Sequence, residues 1–371
     1  MNNDCFEKQY GERIIRNILK PFIYIIFYKK NIHKPYWKRL SKIFLDDLLN
    51  NKSTSLNQKI WAYKRGFLSK NIYNLELNDN NYIEYMSDFS YWKQKQLKNK
   101  GYSYWFDDKL TTFYILNPFK NYLPKHHYLI INGRICCLSD EKDLTNNNIY
   151  NIKQILKKEK ELAAKETKGS LGKGFYKLSY DGINYAINDK VIEENEMDDF
   201  IMKLDGYIIT SYIHAHSKIQ KIYSKTPNAI RLVTIYDEED GAQITGAYIR
   251  FGTSRTGYVD HVMAGGVFAG INIENGDMFK PLKYVNGKVV ECPLHPDTKV
   301  PIAGEIPNWE IVRKKIILIS NCLKVAPHLS YDIVITEDSF KILEINSHGM
   351  LTDLQCFYPF FKNKYQRKLF Y

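Results

Sequence analysis

The chain of 371 residues is 44% hydrophobic and 25% charged, and its 53 Lys and Arg residues outnumber its 41 Asp and Glu residues. This length allows two or three lobes, and the composition is ordinary for a folded protein, which excludes a disordered chain. No run reaches the roughly 18 consecutive apolar residues of a membrane-spanning helix. The excess of positive charge favours an anionic partner, such as a nucleotide, a phosphorylated sugar, a nucleic acid or an anionic membrane surface.

The spacing of the cysteines bears on the cellular compartment. The six cysteines are scattered without a CxxC pair, and no histidine accompanies them at the spacing of zinc ligands. The N-terminus lacks a charged and then apolar secretory signal with a cleavage site. We therefore expect reduced thiols, no structural zinc and a cytoplasmic location.

Residues 1–100 are rich in Lys, Asn, Tyr and Trp, and predict a basic, mainly helical region. Within it, residues 14–28 are strongly apolar and aromatic apart from an interruption at Lys20-Pro21, and basic residues follow as far as Arg39. One interpretation is a helix that lies on an anionic membrane, through residues 14–39, at the inner face of the plasma membrane. The other is an amphipathic helix packed against the rest of the protein. The sequence leaves both open.

The rest of the chain predicts an α+β fold without an internal repeat. Residues 101–150 contain short strand-like runs and predict a small intermediate lobe, residues 151–357 predict a nucleotide-binding and catalytic region, and residues 358–371 form a basic C-terminal tail. The predicted elements are a helix at 147–160, a strand at 161–166, a glycine-bearing loop at 168–174, a hairpin at 175–186, a helix at 189–204, strands at 207–213, 229–236 and 243–251, a helix at 308–325 and a hairpin at 331–346.

The last hairpin brings acidic side chains together. Side chains alternate between the faces of a strand, so Glu344 and Asn346 share one face while Leu343 and Ile345 take the other. A four-residue connection places Asp332 across from the Glu344 region. Two carboxylates and an amide oxygen suit Mg²⁺, although a solvent-exposed polar face is the alternative interpretation.

A glycine-bearing loop follows the strand that carries Lys165. Gly169, Gly172 and Gly174 allow backbone N–H groups to approach phosphate oxygens closely. The loop leads into a further strand rather than opening a helix, so it is neither a P-loop nor a dinucleotide-binding fingerprint.

The order of these features resembles the ATP-grasp superfamily: a lysine strand, a flexible glycine loop, a hinge strand, and a late acid followed by Glu-x-Asn. More narrowly, residues from about 105 to 357 are similar to the sugar-transfer-associated ATP-grasp family, which is found with bacterial surface-polysaccharide genes. The shared motifs are Asn228-x-x-Arg231-Leu-Val-Thr, Arg250-Phe-Gly, Val259-Asp260 with Gly265-Gly266, His295-Pro296, Ile306-Pro307-x-Trp309, Asp332-Ile-Val-Ile-Thr336 and Glu344-Ile-Asn346. The resemblance implies an ATP-grasp fold, in which two α+β lobes with antiparallel sheets clasp the nucleotide, preceded by a mainly helical region.

The resemblance also implies how ATP would be held. Lys165 would contact an ATP phosphate or the adenine. The loop that would close over the phosphates contributes Gly169, Ser170, Gly172, Lys173 and Gly174. The backbone groups that would receive the adenine belong to Ser211, Tyr212 and Ile213.

By the same resemblance, Arg231 would meet the transferring phosphate, with Arg250 nearby, and both are assigned as catalytic. The residues that would hold Mg²⁺ are Asp332, Glu344 and Asn346. The hinge strand lacks the glutamate that many relatives carry there. The second nucleotide-binding lysine is not placed, and Lys109 and Lys125 are both candidates.

The function that follows from this resemblance is an ATP-dependent carboxylate–amine ligase that works through an acylphosphate and releases ADP and phosphate. Its substrates would be small or glycan-linked carboxylates and amines, in a sugar or amino-acid component of a bacterial surface polysaccharide. A kinase-like ATP-grasp phosphotransferase and a non-catalytic nucleotide-binding scaffold are the alternatives. Nucleic-acid binding is not expected, because no recognition motif is present and the basic residues are spread along the chain.

Overall fold

The computed structural model describes residues 3–32, 34–94, 98–138, 148–169, 172, 174–347, 349 and 351–371. Its helices are α1 (Asn3–Lys29), α2 (Trp37–Asn50), α3 (Leu56–Lys64), α4 (Asn71–Asn74), α5 (Asp88–Gln94), α6 (Ser103–Phe106), α7 (Lys109–Ile115), α8 (Ile149–Glu159), α9 (Glu194–Lys203), α10 (Ser217–Gln220), α11 (Trp309–Cys322), α12 (Leu351–Gln355) and α13 (Lys364–Phe370). Its strands are β1 (His126–Ile131), β2 (Arg134–Cys137), β3 (Glu161–Glu166), β4 (Tyr176–Tyr180), β5 (Tyr185–Ile187), β6 (Lys190–Ile192), β7 (Tyr207–Ser211), β8 (Ile230–Asp237), β9 (Gly241–Phe251), β10 (Val267–Ile271), β11 (Met278–Val285), β12 (Lys288–Glu291), β13 (His328–Ile335) and β14 (Phe340–Asn346).

The chain divides into two compact units. The first unit contains Met1–Lys98, Asn286–Val289 and Gln355–Tyr371, and the second contains Asn99–Val285 and Val290–Leu354. The N-terminal part of the first unit ends at Lys98. The predicted intermediate lobe at 101–150 is not a separate unit, because β1 pairs with β7 and so joins the main sheet of the second unit.

The first unit is a helical assembly with its own apolar core. Ile23 and Phe27 of α1 pack with Phe44 of α2 and Phe89 of α5, and all four are buried. The buried carboxylate of Asp47 accepts hydrogen bonds from nearby backbone and tyrosine donors, which satisfies a charged group inside the helical layer. Among the described residues, no helix has the length and apolarity needed to cross a membrane.

One prediction for the first unit is wrong. Residues 358–371 are not a separate tail: they include α13, they belong to the first unit, and Phe360 and Phe370 are buried. Helix α1 runs through Pro21. A proline inside a helix removes one backbone hydrogen bond, and the packing of Ile23 and Phe27 offsets that loss.

The second unit contains two antiparallel seven-stranded sheets. The first sheet has the strand order β2-β1-β7-β3-β4-β5-β6, and the second has the order β12-β11-β10-β9-β8-β13-β14. α8 packs on β3 and β4 over a core that includes Leu156 and Leu162, and α11 covers β8 and β9 through residues such as Ile316 and Ile319. Each sheet therefore has one face covered by helices, and the second face is left for the site.

The element predictions within this unit are largely confirmed. α8 begins after Asn148, whose side chain accepts a hydrogen bond from the backbone N–H of Asn151 and caps the helix. β3, the β4–β5 hairpin, β7, β8, β9, α11 and the β13–β14 hairpin all lie where they were predicted. The predicted helix at 189–204 is partly wrong, since the short strand β6 precedes α9. Asn188 and Asp189, both with positive φ, form the turn between β5 and β6.

Candidate active site

A row of charged side chains crosses three strands of the second sheet. Asp332 on β13 lies opposite Arg231 on β8 and opposite Glu344 on β14. The neighbouring residues Ile230 and Leu232 point into the core beneath α11, so alternation along β8 places Arg231 on the other face. The structure therefore confirms the predicted juxtaposition of Asp332 and Glu344, and adds Arg231 to the same row.

Asp332 is held by two arginines. Arg231 donates from Nε to Asp332 Oδ1 at 2.5 Å and from Nη2 to Oδ2 at 3.0 Å, a bidentate pair, and Arg250 Nη2 lies 3.3 Å from Oδ2. Burial opposes ionisation of Asp332, but the two guanidinium charges outweigh it and lower the pKa of the carboxyl below its ordinary value. Asp332 is thus a carboxylate in a nearly dry, positively charged setting.

Arg250 also approaches a second carboxylate. Its Nε lies 3.5 Å from Asp260 Oδ1, and Asp260 Oδ2 accepts a hydrogen bond of 2.6 Å from the backbone N–H of Ala229. Burial raises the pKa of Asp260 above its ordinary value although Arg250 acts in the opposite direction. The predicted neighbourhood of Arg231 and Arg250 is therefore present, and Asp260 helps to position Arg250.

A β-bulge shapes the end of this row. In the β13–β14 register, Asp332 pairs with Glu344 while Ile333 pairs with Ile342, so Leu343 is an extra residue on β14. Leu343, predicted to share the core face with Ile345, is partly buried against that core and also reaches the opposite side of the sheet. Ile345 is fully buried, whereas Leu343 lines the pocket described next.

The pocket next to Glu344 lies between the two sheets of the second unit. The space among its lining side chains is about 430 Å³, a volume that includes open solvent. One wall is the helix-free face of the first sheet, where Lys165 of β3 is paired with Ile208 of β7. The other walls come from α7, the residues before β1, and β14, and their members are Lys109, Thr112, Phe113, Leu123, Pro124, His126, Ile342, Leu343 and Glu344.

Two lysines give the pocket its positive charge. Lys109 Nζ lies 3.5 Å from Glu344 Oε2 and donates a hydrogen bond of 2.9 Å to the carbonyl of Gly169. Burial, together with the charge of Lys109, lowers the pKa of the Lys165 ammonium to about 8. Of the two candidates for the second nucleotide-binding lysine, the structure places Lys109 at the pocket and not Lys125.

The glycine loop begins at this pocket. The backbone N–H of Lys109 donates to Thr167 O at 2.9 Å, so α7 and the start of the loop are tied together. Gly172 and Gly174 have φ of +70° and +68°, and a Cβ at Gly172 would lie 2.7 Å from Val259 Cγ1. These two positions therefore require glycine. Ser170 and Lys173 lie outside the described residues.

The predicted hinge residues lie next to the pocket rather than in its lining. The lining reaches Thr210, one residue before Ser211. Ser211 donates its backbone N–H to Lys125 O at 2.9 Å, Lys177 lies 5.1 Å from the ring centre of Tyr212, and Ile213 packs against the core. The structure thus brings Lys165, Gly169, Glu344 and Thr210 together, with Ser211, Tyr212 and Ile213 at the edge.

The hinge carries a charged cluster that the sequence did not reveal. Glu161, at the start of β3, accepts a hydrogen bond from His214 and lies 2.6 Å from Lys177 Nζ. The hydrogen bond from His214, with the charge of Lys177, lowers the pKa of Glu161 to about 2. A carboxylate is therefore present beside the hinge although the hinge strand itself has none.

The proposed metal ligands fit a hard cation. Asp332 and Glu344 are adjacent across the hairpin, and Asn346 pairs with Ser330 two residues further along the same two strands. A carboxylate has about four lone-pair sites, so Asp332 retains acceptor capacity beside its arginines. The side-chain nitrogen of Asn346 is buried and makes no hydrogen bond to the described residues. Three oxygen donors without nitrogen or sulfur suit Mg²⁺.

Sequence reasoning missed several residues at the site. His126 is half-buried, its Nδ1 lies 2.8 Å from Pro124 O, and its ring stacks on Phe113 with centres 4.3 Å apart. Burial lowers the pKa of His126 to about 4, so it is neutral at pH 7. On the arginine side, Tyr284 donates to the buried carboxyl of Asp353 at 2.8 Å, and burial raises the pKa of Asp353. No local motif marks these residues, since only tertiary packing brings them in.

The sugar-transfer associated ATP-grasp family model matches residues 93–358. A comparison with curated protein sequences gave no significant match.

Solved structures give weak likenesses. The L-amino acid ligase from Bacillus licheniformis is 9% identical with a TM-score of 0.34, and the match covers 72% of this chain and 44% of that protein. The D-alanine–D-alanine ligase from Bacillus anthracis is 12% identical with a TM-score of 0.33, and the match covers 68% of this chain and 58% of that protein. The D-alanyl-alanine synthetase A from Vibrio cholerae O1 biovar eltor is 10% identical with a TM-score of 0.38, and the match covers 73% of this chain and 64% of that protein.

This chain therefore spans between 44% and 64% of the length of these three proteins. The likenesses are too low to carry an argument about reaction or substrate. The family model, in contrast, covers more than half of the chain and includes both sheets, the charged row and the glycine loop. The chain belongs to the sugar-transfer-associated ATP-grasp family and has the ATP-grasp fold.

Proposed function

We propose that this protein is an ATP-dependent carboxylate–amine ligase. The observation that carries the proposal is that charged side chains of the second unit adjoin one another from the sheet to the pocket. The row Arg231, Asp332 and Glu344 ends at Lys109, which joins it to the pocket of Lys165 and to the glycine loop. Carboxylates that suit a divalent cation therefore meet cations that suit a triphosphate within one strip of the molecule.

In this proposal, ATP is a substrate held by the pocket and the loop. The apolar side chains of Ile208, Leu343 and Phe113 offer a surface for a flat base, and Lys109 and Lys165 supply positive charge for phosphate oxygens. The glycine loop supplies backbone N–H groups at positions where a side chain does not fit.

Asp332, Glu344 and Asn346 are the proposed Mg²⁺ ligands. When bound, the ion would neutralise phosphate charge and polarise a phosphoryl oxygen. The chain itself contributes Arg231 and Arg250, whose planar guanidinium groups suit phosphate and acylphosphate oxygens. Phosphoryl transfer depends mainly on positioning and charge neutralisation, so this set of side chains suits the reaction.

The proposed reaction has two steps. A carboxylate oxygen of the first substrate attacks the γ-phosphorus, the bond to the β-phosphate oxygen breaks, and ADP leaves. The nitrogen of an amine then attacks the acyl carbon of the acylphosphate, an amide bond forms, and phosphate leaves with a proton released from the amine. The family's association with sugar transfer supports a sugar or amino-acid component of a surface polysaccharide as the substrate.

Product analysis tests this proposal. Purified protein is incubated with ATP, Mg²⁺ and mixtures of sugar acids and amines, and nucleotides and products are identified by chromatography and mass spectrometry. We expect ADP, phosphate and an amide in equal amounts. AMP with pyrophosphate would contradict the acylphosphate route. A phosphorylated product without an amide would indicate the kinase-like alternative, and tight ATP binding without turnover would favour the scaffold.

A further inference from the structure

Helix α1 of the first unit has two apolar faces. Ile23 and Phe27 lie on the face that packs into the core of the first unit. The other face, which we call the α1 stripe, consists of Ile14, Ile15, Ile18, Phe22, Ile25 and Ile26. Its side chains are between 41% and 62% exposed. The packed interpretation therefore holds for one face of α1, and an equally apolar face stays exposed.

The α1 stripe has helical continuity. Its members recur at intervals of three and four residues from Ile14 to Ile26, so they line one side of the helix over about 18 Å. Six large apolar side chains in one line exceed the isolated apolar residues that any protein surface has. No polar side chain interrupts the line, so the stripe has no hydrogen-bonding group with which to fix a partner in one register.

The part of the sequence that contains the stripe has an excess of positive charge. From Arg13 to Leu45 the sequence has nine Lys and Arg residues and neither Asp nor Glu. Arg16 is neutralised by Asp46, at 2.5 Å. The basic residues that remain exposed after the stripe are Lys29, Lys30, Lys34, Lys38, Arg39 and Lys42.

We propose that α1 lies in the headgroup region of an anionic lipid bilayer, with the α1 stripe facing the acyl chains. Fluid hydrocarbon needs no matching register, and lysines beside the stripe attract anionic headgroups. A second copy of this chain is a poorer partner, because pairing two stripes brings two positively charged segments together. This inference concerns the first unit and is independent of the proposed reaction.

Vesicle flotation of the full-length chain tests the proposal. The probes are vesicles of phosphatidylcholine alone and of about three parts phosphatidylcholine to one part phosphatidylglycerol. We expect the protein to float with the anionic vesicles and far less with the neutral ones. Added salt should reduce the binding, because screening weakens the lysine contribution.

Variants separate the apolar from the charged contribution. The double variant Ile18→Ser/Phe22→Ser removes two exposed side chains, so the fold is kept, and the partition coefficient should fall by about 100-fold. The variant Lys29→Ala/Lys30→Ala should reduce it by about 25-fold on anionic vesicles only. Ile183→Ser is the matched control, since Ile183 is 85% exposed in the second unit and lies outside the stripe.

Sedimentation of the same variants without lipid measures their oligomeric state and so tests whether a second copy of the chain covers the stripe. Three results would each overturn the proposal. They are a wild type that does not float at all, a wild type that binds neutral and anionic vesicles equally, and a wild type that floats no better than Ile18→Ser/Phe22→Ser. A wild-type dimer that becomes monomeric in Ile18→Ser/Phe22→Ser would show that a second copy covers the stripe instead.

Discussion

At the scale of single residues, the site depends on charges that compensate one another in a place with little water. Asp332 has 12% of its side chain exposed and Arg231 has 13%, and the two share a bidentate contact. A buried ion pair stabilises a fold mainly because neither partner is tolerated alone. The same pair keeps a carboxylate ionised at the place where the proposed metal would bind.

We predict that Arg231→Leu lowers the free energy of unfolding by about 3 kcal/mol, because Asp332 is left buried with only Arg250 beside it. The double variant Arg231→Leu/Asp332→Leu should recover most of that loss. Urea unfolding of the three proteins measures both values. Equal stability of wild type and Arg231→Leu would mean that water already solvates Asp332.

A second prediction at this scale concerns pH. Lys165 has a pKa lowered to about 8, so it is charged below that pH and neutral above it. ATP carries negative charge throughout this range, so binding favours the charged lysine, and above about pH 8 the affinity should fall by about tenfold per pH unit. Titration calorimetry between about pH 7 and about pH 9.5 measures the ATP affinity at each pH. The variant Lys165→Met should bind ATP weakly and without this pH dependence. If its ATP affinity still fell above about pH 8, a group other than Lys165 would be responsible.

At the scale of elements, the glycine loop and the bulge in β14 determine which groups reach the pocket. The loop is tied to α7 through the two hydrogen bonds of Lys109, and the bulge turns Leu343 toward the pocket while Glu344 stays opposite Asp332. Both features change local geometry without changing the order of the strands. The loop can therefore be tested without disturbing the sheet.

We predict that Gly172→Ala and Gly174→Ala each weaken ATP binding by about tenfold and lower the free energy of unfolding by about 1 kcal/mol. Positive φ costs an alanine about 1 kcal/mol, and at Gly172 the new methyl group meets Val259. Gly133→Ala is the control, because Gly133 has a φ of +68° in the β1–β2 turn with open space around it. Calorimetry measures the ATP affinity of the three variants. Loss of affinity in Gly133→Ala as well would indicate a general effect on the first sheet.

The elements also show what sequence patterns could and could not predict. β3 was predicted as a short run between a helix and the glycine loop. The β13–β14 hairpin was predicted from two strand-like runs joined by four residues, and the pairing of Asp332 with Glu344 follows from that hairpin. The bulge at Leu343 was not predicted, since a shift of register depends on the neighbouring strand. The choice of Lys109 over Lys125 and the presence of His126 in the pocket depend on tertiary packing, which no local pattern encodes.

At the scale of the whole molecule, the first unit is built from distant parts of the chain. Its helices from residues 3–94 share a compact unit with residues 286–289 and 355–371. The C-terminal helix α13 completes this unit, since Gln94 donates a hydrogen bond of 2.9 Å to Phe370 O. The last residues therefore stabilise the first ones.

We predict that Phe360→Ala lowers the free energy of unfolding of the first unit by about 3 to 5 kcal/mol, because Phe360 is fully buried. Tyr371→Ala, with a side chain that is 83% exposed, should change it by less than about 0.5 kcal/mol. Thermal unfolding of the two variants measures the difference. If Phe360→Ala were as stable as the wild type, residues 355–371 would be a separate tail.

The central claim is that Asp332, Glu344 and the lysine pocket form one site for Mg²⁺ and ATP. Calorimetric binding of ATP, with and without Mg²⁺, to the wild type and to Glu344→Gln tests it most directly. Glu344→Gln removes one charge from a side chain that is 27% exposed, so the fold should persist. We predict that the wild type binds ATP tightly only with Mg²⁺ and that Glu344→Gln loses this dependence. Absence of ATP binding by the wild type, or equal Mg²⁺-dependent binding by both proteins, would contradict the account.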